Sequence, residues 1–143
     1  MVLAVSLFRW AFPKCQTYAK RLTLSLQLAA AVGATVIATS SSDAKLEVAR
    51  ELGAKHLINY SKTSDWATEA LKLTEGRGVD LVVDVVGAQS IEQTIKATRF
   101  GGAIILVGLL SSDPNLKVNI MQDILYGAKL CKCAHFPAMV EVG

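Results

Sequence analysis

The chain has 143 residues, 52% of them hydrophobic and 19% charged, with a formal net charge of +3. That length favours a single domain with a substantial core, and that composition excludes an intrinsically disordered chain. No basic stripe with interleaved aromatics occurs, so nucleic acid is not an expected partner.

The charge is nevertheless uneven. Residues 1–42 hold Arg9, Lys14, Lys20 and Arg21 and no acid, whereas the remainder carries 11 basic residues against all 12 acids. An acid-free, basic, Ser/Thr-containing start is similar to a mitochondrial transit peptide, although Pro13 interrupts any amphipathic helix there. Cys15, Cys131 and Cys133 are too few and too irregular for a disulfide framework, which points to a reducing compartment. A cytoplasmic location is therefore expected, with the mitochondrion as the alternative. Residues 22–42 carry no charge and match a membrane span in length. However, Thr23, Ser25, Gln27, Thr35 and the run Thr39 to Ser42 are polar, and Gly33 splits the stretch, so no membrane association is expected.

In chain order, residues 26–32 read as the close of a helix with Gly33 as its C-terminal stop. ATVIAT, residues 34–39, is a β-branched run suited to a buried strand. Ser42 is placed to cap the next helix, Asp43 suits its positive end, and Leu46, Ala49 and Leu52 give it an apolar stripe before Gly53. KHLINY, 55–60, is the next strand, and Ser64 opens a helix carrying Ala67, Ala70 and Leu71 that the GRG turn at 76–78 ends. VDLVVDVVG, 79–87, is apolar on both faces, as a covered parallel strand requires. Ser90 and Gln93 have the spacing of a capping box, with Ile91 and Ile95 facing inward. Gly101–Gly102 reads as a turn, AIILVGLL at 103–110 as a strand, SSDPN at 111–115 as a loop and residues 119–128 as a helix. LCKCA can form a last short strand. Strands alternating with helices predict an α/β fold: a doubly wound parallel sheet, with an atypical segment at 1–25, the main domain at 26–128 and a divergent tail at 129–143.

The runs ATVIATSSSDAKLEVARELGAKHLINY, GRGVDLVVDVVG and FGGAIILVGLL together resemble the Rossmann-like cofactor domain of zinc-type alcohol dehydrogenases and quinone oxidoreductases, the medium-chain dehydrogenase/reductase superfamily. The likeness covers residues 26–128. It implies NAD(P)H-dependent hydride transfer with alcohols, aldehydes, quinones or enones. Family members open this domain with a strand and a glycine-rich turn that binds the pyrophosphate at a helix N-terminus. Here residues 1–25 contain no glycine, and Val5-Ser6-Leu7-Phe8 is the one stretch resembling the start of that helix. Losing two or three charge-assisted hydrogen bonds at about 1.5–3 kcal/mol each removes roughly 3–9 kcal/mol, comparable to the ~8 kcal/mol of micromolar affinity. Cofactor binding is therefore expected to be weak or absent. The rival expectation is a non-catalytic truncated or dimerisation module. Residues 2–8 discriminate: filled into the central strand position they close the sheet, and otherwise inner edges lie open.

The ribose end is better preserved. NAD-preferring folds place an acid directly after the second strand, but Thr39-Ser40-Ser41-Ser42 holds that place, with Asp43 opening the helix and Lys45 following. Ser40, Ser41 and Lys45 suit a 2′-phosphate, and Tyr60 matches the family's adenosine-side tyrosine, so NADP(H) is expected over NAD(H). The alternative is that the serines are caps and Lys45 a solvated helix charge. Val86-Gly87 and Val107-Gly108 end two strands where open parallel sheets bind ligands, and by resemblance their backbone lines the dinucleotide. Both glycines also read as simple turns. Cys131, Cys133 and His135 share one face of a strand, yet with Cys15 they match no usual structural-zinc spacing, so no zinc is expected. Asp80 and Asp84 in one buried strand read as structural. No catalytic acid, base or nucleophile can be assigned, the substrate domain of the family is expected to be missing from this chain, and a homodimer through the last strand is the expected assembly.

Overall fold

β-Branched runs alternate with amphipathic ones, and each strand pairs parallel with its neighbours in the sheet. The computed structural model describes residues 1–7, 16–87, 89–106 and 130–133. Its elements are β1 (Val2–Leu7), α1 (Gln16–Ala31), β2 (Thr35–Ser40), α2 (Asp43–Glu51), β3 (His56–Asn59), α3 (Trp66–Leu73), β4 (Val79–Asp84), α4 (Ile91–Ala97), β5 (Thr98–Leu106) and β6 (Leu130–Cys133). The strands form one sheet in the order β3-β2-β1-β4-β5-β6, with every pairing parallel. This is the doubly wound α/β architecture that the alternation predicts.

From β1 the chain steps outward through β2 and β3, then returns past β1 and steps the other way through β4, β5 and β6. Right-handed crossovers therefore put the two sets of helices on opposite faces. On one face Leu26 and Ala29 of α1 and Leu46 and Ala49 of α2 pack with Leu3, Val36, Ala38 and Val83. On the other, Trp66, Ala67 and Ala70 of α3 and Ala97 of α4 pack with Ala4, Ile37, Ile58, Val79 and Val82. Strand side chains alternate between the faces, so Val36 and Ile37 fall in different clusters. The central strands β1, β2 and β4 are apolar on both sides for that reason.

Gly33 and Gly53 stop α1 and α2 in the same way. Both have positive φ, +76° and +105°, and in each case the glycine N–H bonds three residues back (3.0 Å) and the next N–H five back (2.9 Å). This Schellman geometry turns the chain sharply into the following strand. At the N-terminal end of the sheet, Asp80 gathers three elements. It accepts from the Val2 N–H at 2.6 Å, from both Arg77 guanidinium nitrogens at 2.9 and 2.8 Å, and from Arg99 Nε at 2.6 Å. The Arg77 guanidinium, the Val2 N–H and Arg99 together hold the carboxyl well below the usual carboxylate range.

Several sequence expectations change. Residues 5–7 belong to strand β1, not to a helix start; β1 takes the central position between β2 and β4 and closes the sheet. The nearly continuous apolar run VLAVSL and its pairing on both edges outweigh any helical tendency there. Gly101 and Gly102 lie inside β5, whose register against β4 shifts between Val79 and Leu81. Ser42 occupies the cap position of α2 without a side-chain bond to the helix. Ser90 and Gln93 form no capping box: the Ser90 hydroxyl turns to Asp84, and Gln93 Oε1 accepts from the Ala67 N–H at 3.1 Å. Asp65 rather than Ser64 caps α3. LCKC forms β6, while the helix expected at 119–128 lies outside the described residues. Residues 22–42 are divided between α1 and β2, and among the described residues no helix is long and apolar enough to cross a membrane.

Candidate functional site

The winding direction reverses between β1 and β4, so the C-terminal ends of β2, β1 and β4 frame the crevice where open parallel sheets take ligands. Two clusters of predicted residues flank that point, separated by two strand spacings, roughly 10 Å.

The first cluster closes β2 and β3. Ser40 is the last residue of β2, fully buried, and its Oγ accepts from the Ser42 N–H at 3.3 Å. Its carbonyl accepts from the Tyr60 N–H at 3.1 Å, which brings Tyr60 beside it. The half-buried Tyr60 packs against the core on the α3/α4 face. Half-buried Ser41 follows Ser40, and half-buried Lys45 lies in the first turn of α2. Ser40, Ser41, Lys45 and Tyr60 thus come from the ends of two adjacent strands. Thr39, one residue below this rim, has a buried Oγ1 without a partner among the described residues.

Asp43 opens α2 but is held toward β3. Its Oδ1 accepts from Asn59 Nδ2 at 2.8 Å and its Oδ2 from Lys62 Nζ at 2.8 Å. Lys62, and after it Asn59, holds the carboxyl below its ordinary value. The sequence reading missed these two partners. Asn59 and Lys62 lie 16 and 19 residues downstream, and only the β2–β3 pairing brings them near.

The second cluster follows β4. Asp84 is completely buried and accepts four hydrogen bonds. The Val86 and Gly87 N–H groups donate to Oδ1 at 2.8 and 3.2 Å, and the Ser90 and Thr94 hydroxyls donate to Oδ2 at 2.6 and 2.7 Å. Gly87 also gives its carbonyl to the Ser90 and Ile91 N–H groups. The Val86, Gly87, Ser90 and Ile91 N–H groups are therefore consumed within this turn. A sequence signal for this existed: Ser90 and Thr94 stand four apart on the helix that follows a strand-end Asp. Val107 and Gly108 lie outside the described residues, as do Cys15 and His135. Among the described residues no group of three His, Cys, Asp or Glu is placed to hold a metal.

Hydroxyls, an ammonium and a phenol ring thus gather at the ends of β2 and β3, beside the switch point where open parallel sheets bind ligands. Residues 23–135 match the zinc-binding dehydrogenases.

The chain belongs to the zinc-binding dehydrogenase family.

A zinc-type alcohol dehydrogenase-like protein of Schizosaccharomyces pombe is 47% identical over 106 residues, which cover 72% of this chain and 30% of that protein. A 2-haloacrylate reductase from a Burkholderia species is 38% identical over 95 residues, 65% of this chain and 27% of its own length. Among solved structures, an NAD-dependent alcohol dehydrogenase superposes with a TM-score of 0.76 at 32% identity, covering 92% of this chain and 35% of that one. This zinc-binding dehydrogenase chain thus spans about a third of the length of the relatives it matches.

Proposed function

We propose that this chain is the NADP(H)-binding domain of an alcohol dehydrogenase-like oxidoreductase, with residues 26–128 as its main body. The observation that carries this reading is the polar set at the ends of β2 and β3: Ser40, Ser41, Lys45 and Tyr60 gather there, while the first acid after β2 is bound elsewhere. A 2′-phosphate would be met by the hydroxyls and Lys45, with Tyr60 at the adenosine side. Val86 and Gly87, and Val107 and Gly108 beyond β5, would flank the nicotinamide half. When bound, the nicotinamide carries hydride to or from an alcohol, aldehyde, quinone or enone. The residues holding that substrate would come from outside this cofactor half, and no zinc ligand is assigned within it.

As part of the same reading, β6, an edge strand among the described residues, would pair with its copy in a homodimer, in a cytoplasmic setting. Titration with NADPH and with NADH, followed by intrinsic fluorescence and thermal shift, tests the proposal. Saturable stabilisation by NADPH, stronger than by NADH, is expected. No response to either at millimolar concentration refutes cofactor binding and favours a non-catalytic module.

A further inference from the structure

The acid that the sequence places just beyond β2 is not idle. Asp43 stands two residues before Lys45 at the start of α2, where an unpaired carboxylate would face the same crevice. There it would repel a phosphate and accept a bond from an unmodified ribose hydroxyl, the pattern that favours NAD. Instead, each of its oxygens is taken by a donor at 2.8 Å.

The donors sit in a built turn. Asn59 Oδ1 accepts from the Ser61 N–H at 3.0 Å, which fixes the amide so that Nδ2 points to Asp43. The Asn59 carbonyl accepts from the N–H groups of Lys62 and Thr63 at 3.1 and 2.9 Å, folding the chain so that Lys62 returns to Asp43. Tyr60 lies in this same turn and is tied to Ser40 through its N–H. The turn thus both presents Tyr60 and restrains Asp43.

We propose that Lys62 and Asn59 are specificity-determining residues: they draw Asp43 toward β3 and cancel its charge, so that the rim of Ser40, Ser41 and Lys45 accepts a 2′-phosphate. This rests on the NADP(H) reading above and names the device that enforces it. Asp43 stays ionised across the neutral range because its partners favour the charged form, so the pair is neutral as a unit. Losing Lys62 uncovers a full negative charge beside the phosphate subsite.

The test measures dissociation constants for NADPH and NADH by fluorescence titration. It compares wild type with Lys62→Met, Lys62→Gln, Asp43→Asn and Lys62→Met/Asp43→Asn, with the melting temperature of each as a folding control. Both Lys62 variants are expected to weaken NADPH about three- to tenfold, on the scale of exposed charge effects acting on a dianion, and to leave NADH unchanged or tighter. The double variant is expected to return the ratio toward wild type, and Asp43→Asn alone to stay near it. If wild type prefers NADPH but the Lys62 variants keep that preference, the restraint role is overturned and the NADP(H) reading stands. NADPH weakening that the double variant does not rescue likewise overturns it, since Lys62 would then touch the phosphate itself. A wild type with no preference for NADPH overturns the NADP(H) reading, and this inference with it.

Discussion

Replacing Asp84 with alanine tests the packing of the turn that follows β4. Its carboxylate is fully buried and takes two backbone N–H groups and two hydroxyls at 2.6 to 3.2 Å. In Asp84→Ala the Ser90 hydroxyl keeps the Gly87 carbonyl at 3.0 Å, but the Val86 and Gly87 amides and the Thr94 hydroxyl lose their acceptor. Three buried donors left unpaired cost about 1–3 kcal/mol each. Part of this is offset because the buried carboxylate itself no longer has to be desolvated, which sets the expected loss at about 3–5 kcal/mol. For a chain of this size that lowers the melting temperature by roughly 10–15 °C. Asp84→Asn keeps an oxygen for the two amides and turns its amide toward the hydroxyl oxygens, so it is expected to lose only about 1–2 kcal/mol, as charged bonds become neutral ones. Urea denaturation with circular dichroism measures both. An alanine variant within about 1 kcal/mol of wild type, or an asparagine variant as damaged as the alanine one, would show that the turn does not depend on this acceptor.

Gly53→Ala and Gly33→Ala alter the same helix stop in two settings. Both pay for a positive φ, but a Cβ at Gly53 meets Ala30 Cβ at 2.7 Å, whereas at Gly33 nothing lies within 4 Å. Thermal melts should show Gly33→Ala losing about 1 kcal/mol and Gly53→Ala at least about twice that. Leu26→Ala empties a completely buried site and should cost about 2–5 kcal/mol by urea denaturation, while Leu28→Ala, 59% exposed two residues on and on the other face of α1, should fall within about 0.5 kcal/mol. Acid unfolding should track Asp65 and Asp80. Lys96 and then Thr68 hold the Asp65 carboxyl down to about 2 from an ordinary 3.8, and Asp80 is depressed further by its arginines and the Val2 N–H. Depressed carboxylates stabilise above their ordinary value and lose that contribution as pH falls through the folded one. Melting temperature should therefore be insensitive to these two groups from pH 7 to 5 and fall below about pH 4, with a shallower acid limb in Asp80→Asn; an unchanged limb in that variant would remove Asp80 from the account.

The sequence by itself determined the elements from Thr35 to Ala97 and the parallel α/β class. Those signals are local: β-branched runs, glycine stops at Gly33 and Gly53, and apolar stripes such as Leu46 and Ala49 depend on neighbours within a few residues. It also placed Ser40, Ser41, Lys45 and Tyr60 near two strand ends that the β2–β3 pairing then joined. Only the tertiary structure decided that VLAVSL is the central strand, because that assignment rests on pairing with β2 and β4 on both sides, far along the chain. The fates of polar side chains were decided there too. Ser90 has the spacing of a cap, yet Asp84 six residues earlier claims its hydroxyl; Asp43 is the first acid after β2, yet Lys62 and Asn59 claim its oxygens. A hydrogen-bonding group takes the strongest partner within reach, and reach is set by the folded sheet, not by distance along the chain.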